Sequence, residues 1–179
     1  MKDYLYCSWR VIFTHIKIMI LSLIPGSVMF SGEIFSERVG FWYSVLFAGV
    51  YVMLIYSETY RIGELNAKTV SKQKPYAAKG FLISVPLVVI SVVLTLIWHF
   101  SWMNAPDSKA VGTYIFRFIY MAWDFAFFGF AGMDRGYVSI IGYAVVLILP
   151  LISSGVGYLT GIHDFPIGIK LKQLMYKKK

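Results

Sequence analysis

Arg117 and Asp124 stand in a run that is otherwise aromatic and aliphatic, YIFRFIYMAWDFAFFGF, from Tyr114 to Phe130. An ionised side chain at the centre of a membrane helix costs about 2.5 to 3.5 kcal/mol on insertion scales, so where one persists it commonly marks a substrate or ion route. Helical spacing puts both charges on one face with Tyr120 and Met121 between them. They are then two turns and ~10 Å apart, so a direct ion pair requires Arg117 to stretch along the helix, and partners on other helices fit the spacing equally well.

The other reactive side chains are dispersed. His15, His99 and His163 fall in three separate segments, with no HExxH pair and no carboxylate cluster beside them, and Cys7 is the single cysteine. Ser84, Ser91, Ser153 and Ser154 can each bond a carbonyl of their own helix, and none is paired with a base in the sequence pattern. The chain therefore reads as a non-enzymatic protein with no metal site and no cofactor.

What must position Arg117 and Asp124 is a membrane bundle. Of 179 residues, 58% are hydrophobic and 15% charged, well outside the balance of a soluble domain. The apolar residues are grouped in runs of about 20, the length that crosses a ~30 Å hydrocarbon slab as helix. LISVPLVVISVVLTLIW, from Leu82 to Trp98, is apolar on every side, which excludes the alternation of a transmembrane barrel strand. The expectation is an all-α single integral domain with runs at 11–30, 41–60, 81–102, 113–131 and 137–161, a basic loop at 58–79 and a basic tail at 162–179.

Local signals refine these runs. The first is opened by Arg10 and carries His15 and Lys17, which are expected to snorkel to one interface; the run reads as a retained helix, with no small-x-small cleavage site after it. Trp42, Tyr43, Tyr56 and Tyr60 bracket the second as an aromatic belt. Pro86 predicts a bend in the third, tolerated because a neighbouring helix can bond the freed carbonyl, and Pro150 a kink in the last.

The net charge of +8 follows the same plan. Lys68, Lys72, Lys74 and Lys79 with Arg61 form one cluster, and Lys170, Lys172, Lys177, Lys178 and Lys179 form the other. Each abuts an apolar run, so topology and lipid headgroups explain them more economically than a nucleic acid does. The positive-inside rule places both clusters in the cytoplasm, which requires an even number of crossings between them. One of the three intervening runs then fails to cross, and the charged 113–131 run is the one expected to be re-entrant or interfacial. Four full spans and one such helix result; the alternative is five spans with Arg117 and Asp124 buried in the bundle.

Ser153, Gly157 and Gly161 recur every four residues in SSGVGYLTG, a ridge of small residues for close helix packing, within the bundle or between copies. Two segments, KPYAAKGFLISVPLVVI and LPLISSGVGYLTGIHDFPIGIKLKQLMYKKK, together resemble small uncharacterised multi-pass membrane proteins of Gram-positive bacteria. The resemblance implies a bacterial plasma-membrane location and no activity. Size, the packing ridge and the missing catalytic constellation favour an accessory or scaffold subunit, whose partners are the lipid bilayer and another membrane protein or a second copy. The alternative is a small transporter or channel component using Arg117 and Asp124, suggested by those charges and by proline-bearing runs.

Overall fold

The computed structural model describes residues 2–31, 37–68, 76–104, 111–131 and 140–163. These are helical almost throughout: α1 (Lys2–Ser31), α2 (Glu37–Ala67), α3 (Lys79–Asn104), α4 (Val111–Trp123), a 3-10 turn (Phe125–Phe127), α5 (Phe128–Ala131) and α6 (Ile140–Ile162). Four of them, in windows Asp3–Val28, Arg38–Ala67, Lys79–Phe100 and Gly142–Ile162, are long and apolar enough to cross a membrane. Most of each window faces outward, and the outward side chains include Trp9, Ile20, Leu46, Met53, Val89 and Ile148. A continuous apolar exterior of this kind needs hydrocarbon around it.

Helix directions follow from contacts. Arg10 pairs with Glu58, His15 meets Tyr51, and Tyr43 donates to the Ser22 carbonyl, so α1 and α2 run antiparallel. The Tyr4 hydroxyl donates to the Leu82 carbonyl at 2.5 Å, and His15 and Ser91 both meet Trp123, so α3 lies beside α1 and runs in the same direction. Gly157 lies against Tyr56 and Thr59, and Gly161 against Tyr60 and Glu64, so α6 runs parallel to α2. The start of α1, the end of α2, the start of α3 and the end of α6 therefore share one end of the bundle, called here the basic end.

The fifth run does not cross. Tyr120 packs on Trp98, with ring centroids 4.8 Å apart, as α4 descends along α3. Three residues later Trp123 donates its indole N–H to Ser91 Oγ at 2.9 Å. Beyond the turn the chain is back at the start of α2, where Gly129 abuts Gly40 and Phe130 packs on Phe41 at 5.5 Å. The segment is a hairpin that enters from the end opposite the basic end and returns to it.

Several boundaries differ from the sequence reading. α1 begins at Lys2 rather than near Val11, and α2 continues to Ala67, so Arg61 and Glu64 are helical rather than loop residues. At 1.5 Å per residue a helix of 30 residues is about 45 Å long, so both overrun the hydrocarbon at their ends. Pro86 lies within α3, and α3 runs through it. A proline at 86 removes the bond that would have satisfied the carbonyl four residues back, Leu82, and that carbonyl is the acceptor for Tyr4.

The small residues of α6 form two contacts. A Cβ on Gly157 would lie 2.2 Å from Thr59 Oγ1 and 2.6 Å from the Tyr56 carbonyl, so this approach to α2 admits no side chain. Gly161 is as close to the Tyr60 carbonyl, and Ser153, one turn above Gly157, is buried and donates to the Leu149 carbonyl. On the adjoining face Ser154 donates to the Gly80 carbonyl of α3 at 2.6 Å. Ser154 thus departs from the expected bond to its own helix, because Gly80 brings a foreign carbonyl closer.

Candidate functional site

The hairpin tip brings four elements together at mid-depth. His15 stands half-way along the Asp3–Val28 window, Tyr51 half-way along Arg38–Ala67, and Ser91 near the middle of Lys79–Phe100. All three meet Trp123 or its neighbours. Trp123 ends α4, and in a continuing helix its carbonyl would accept the amide of Phe127. That amide instead donates to the Asp124 carbonyl at 2.9 Å, the bond that closes the 3-10 turn. The Trp123 carbonyl, released, is 3.0 Å from His15 Nε2.

A carbonyl only accepts, so His15 Nε2 carries the hydrogen, and in the neutral ring Nδ1 is then the acceptor. Nδ1 lies 3.3 Å from the Tyr51 hydroxyl, which donates to it. The imidazole is also wedged against the Trp123 indole at 4.6 Å and edge-on to Tyr51 at 5.7 Å. His15 is 1% exposed, so the sequence expectation that it snorkels to an interface is overturned. The helix begins nine residues earlier than that expectation assumed, which moves position 15 from its first turns to its centre.

Asp124 occupies the break itself. Its amide still completes α4 by donating to the Tyr120 carbonyl at 3.0 Å, but its side chain is 0% exposed and neither carboxylate oxygen has a hydrogen-bond partner among the described residues. The residues around it are apolar or aromatic: Phe125, Ala126 and Phe127 are buried with it, and Phe127 packs edge-on to Tyr51 at 5.1 Å. Tyr51 and Tyr120 are the hydroxyl-bearing residues within its electrostatic range. Leaving a buried polar group unbonded costs about 1–3 kcal/mol, and more when it is charged.

Other elements hold the hairpin in place. The Gly129 amide, one of the unpaired donors at the start of α5, bonds Ser44 Oγ at 2.8 Å. The Phe125 ring fills the space where a Cβ on Gly26 would stand, 2.2 Å from its Cε1. Tip and return limb are thus tied to α1, α2 and α3 by three polar contacts and a set of rings.

The remaining sequence candidates lie elsewhere. Arg117 is on the α4 backbone, and its side chain lies outside the described residues, as do Lys72, Lys74, Lys170, Lys172, Lys177, Lys178 and Lys179. Lys68 is exposed at the basic end and pairs with Glu64. Lys79, which opens α3, is 4% exposed rather than free at a headgroup surface and lies near Cys7 of α1. Arg10 and Glu58 form an inter-helix ion pair at 2.5 Å at the same end.

Tyr51 and Trp123 escaped the sequence reading, which assigned His15 to an interface and Ser91 to a bond with its own helix. The signal available was position: each polar group sits near the centre of its apolar run, where a polar side chain is hardest to accommodate. No family model, curated protein or solved structure matches this chain.

Proposed function

We propose that this chain is a small transporter or channel component of the plasma membrane, in which Asp124 binds the transported ion. One observation carries the reading: a fully buried carboxyl group with two unpartnered oxygens, held at mid-depth by a broken, re-entrant helix. A fold needs no such group, since an apolar residue of similar size would be cheaper there. Broken helices at the bilayer midplane are the usual location of ion and substrate sites in membrane carriers.

The basic end carries Arg10, Arg61, Lys68 and Lys79, and the positive-inside rule then orients it toward the cytoplasm. The hairpin opens on the opposite side. An accessory or scaffold role was motivated by small size, the missing catalytic constellation and the Ser153, Gly157 and Gly161 ridge; of these, the ridge is occupied by α2 of the same chain. A stoichiometric membrane partner co-purifying from gently solubilised membranes would revive it.

Flux into proteoliposomes of the purified chain tests the proposal. Ion entry that Asp124→Asn abolishes, in a variant of unchanged helix content, is the expected result. Equal flux through wild type and Asp124→Asn, or none through either, contradicts it.

A further inference from the structure

We infer that the ion bound at Asp124 is the proton, and that the Tyr51–His15 pair is its next acceptor toward the Arg10–Glu58 end. The inference rests on the transport reading above and specifies its cargo. Three features of the site select a proton over a metal or alkali cation.

The first is ligand number. A hard cation such as calcium takes six to eight oxygens, and magnesium six. Asp124 brings a single carboxylate, and among the described residues no group of three His, Cys, Asp or Glu stands together. Three backbone carbonyls at the break are already engaged: Tyr120 and Asp124 accept amides of the turn and Trp123 faces His15. A proton needs one oxygen and no shell.

The second is neutrality. The groups facing Asp124 are Tyr51 from α2 and Tyr120 from α4, with His15 of α1 behind Tyr51, and α3 contributes Ser91 and Thr95 without charge. Tyr143 of α6 lies within range of Tyr120 and is also uncharged. Among the described side chains, which do not include Arg117, no cation stands against Asp124, and those that face it are compatible with the neutral acid. Binding a proton discharges the site, and releasing one charges it.

The third is what lies beside it. Tyr51 donates to His15 Nδ1 at 3.3 Å, and His15 Nε2–H donates to Trp123 O. The imidazole therefore has an unprotonated nitrogen on the side from which a proton arrives. Neither Asp124 oxygen is hydrogen-bonded to the Tyr51 hydroxyl in this structure, so transfer first requires the carboxyl to turn toward it; the step then breaks the Asp124 O–H bond, passes the Tyr51 hydroxyl hydrogen to Nδ1 and restores that hydroxyl with the proton from Asp124. Asp124 becomes a carboxylate and His15 an imidazolium, and their opposite charges compensate each other. Glu58, two turns along α2 from Tyr51 and 22% exposed, is the carboxylate nearest this pair toward the basic end.

The test uses the full chain in proteoliposomes with a trapped pH dye and a potassium diffusion potential, with sodium and potassium tracer uptake measured in parallel. Infrared difference spectra of the wild type between acid and alkaline pH, with and without 13C-aspartate, report a carboxylic acid C=O band without need of a variant. Proton entry that falls to the protein-free rate in Asp124→Asn and slows about tenfold or more in Tyr51→Phe and His15→Gln is expected. A buried acid band that titrates and is indifferent to sodium and potassium is expected with it. Asp124-dependent sodium or potassium uptake without proton entry overturns this inference and leaves the transport reading standing. A wild type that moves no ion, with no titrating aspartic acid band, overturns both.

Discussion

Where α6 meets α2 the backbones touch, Gly157 against Tyr56 and Thr59 and Gly161 against Tyr60, and the polar groups nearby are bonded: Thr59 to the Ile55 carbonyl, Thr160 to the Tyr56 hydroxyl, Asn66 to Tyr158. Where the hairpin meets α1 the contact is made by rings and polar side chains, and Asp124 is left with neither oxygen bonded. In lipid no hydrophobic effect drives helices together, so a seam is held by close packing and satisfied hydrogen bonds. The α2–α6 seam meets that requirement. The hairpin departs from it at Asp124 and at the Tyr120 hydroxyl, which is also buried without a hydrogen-bond partner, and such local departures inside a well-packed bundle are what motivates the transport proposal.

Substitutions that invert the two regions should separate these roles. Gly157→Leu has nowhere to put its side chain, since even the Cβ meets Thr59 and the Tyr56 carbonyl, and should cost about 3 kcal/mol in reversible unfolding by denaturing detergent. Asp124→Val should act in the opposite direction, raising stability by about 1–2 kcal/mol while eliminating flux, because it removes an unbonded polar group from an apolar surround. If Asp124→Val proves as damaging as Gly157→Leu, the carboxyl is structural and the contrast between the regions fails.

Smaller effects refine the picture. Tyr4→Phe leaves the Leu82 carbonyl, already deprived of its helical donor by Pro86, without a partner and should cost about 1 kcal/mol. Replacing Pro86 by Ala in the same chain restores the helical donor and should cancel that cost, a double-mutant cycle read in the same unfolding assay. Gly49→Ala, on a lipid-facing stretch of α2 where a Cβ meets nothing within 4 Å, should change stability by less than about 1 kcal/mol and in the favourable direction.

Much of this architecture was legible in residue patterns. Apolar runs of membrane-spanning length placed the four long helices, and the expense of Arg117 and Asp124, set against the position of the lysines, singled out the hairpin as the non-crossing run. Pro86 also carried its own requirement, a donor from a neighbouring helix, although not the identity of Tyr4. The site was half legible. Asp124 stood out because a charge in an apolar run has a known cost; His15 did not, because its assignment to an interface depended on where α1 starts, and helix ends are weakly encoded when polar residues such as Ser8 and Arg10 continue the helix beyond the apolar run. Tyr51 and Ser91 are ordinary residues in apolar helices. Only the tertiary meeting at Trp123 makes them neighbours, and single-sequence periodicity contains no term for that.

The hairpin that enters and leaves by one face is the feature on which both regions depend, and impermeant maleimide labelling in intact cells tests it most directly. In a Cys7→Ser background, single cysteines at Asn104 and Ala131 should label from the outer face, and those at Lys68 and His163 only after permeabilisation. Labelling of positions 104 and 131 from opposite faces would make the segment a fifth crossing and contradict a mid-depth turn at Asp124.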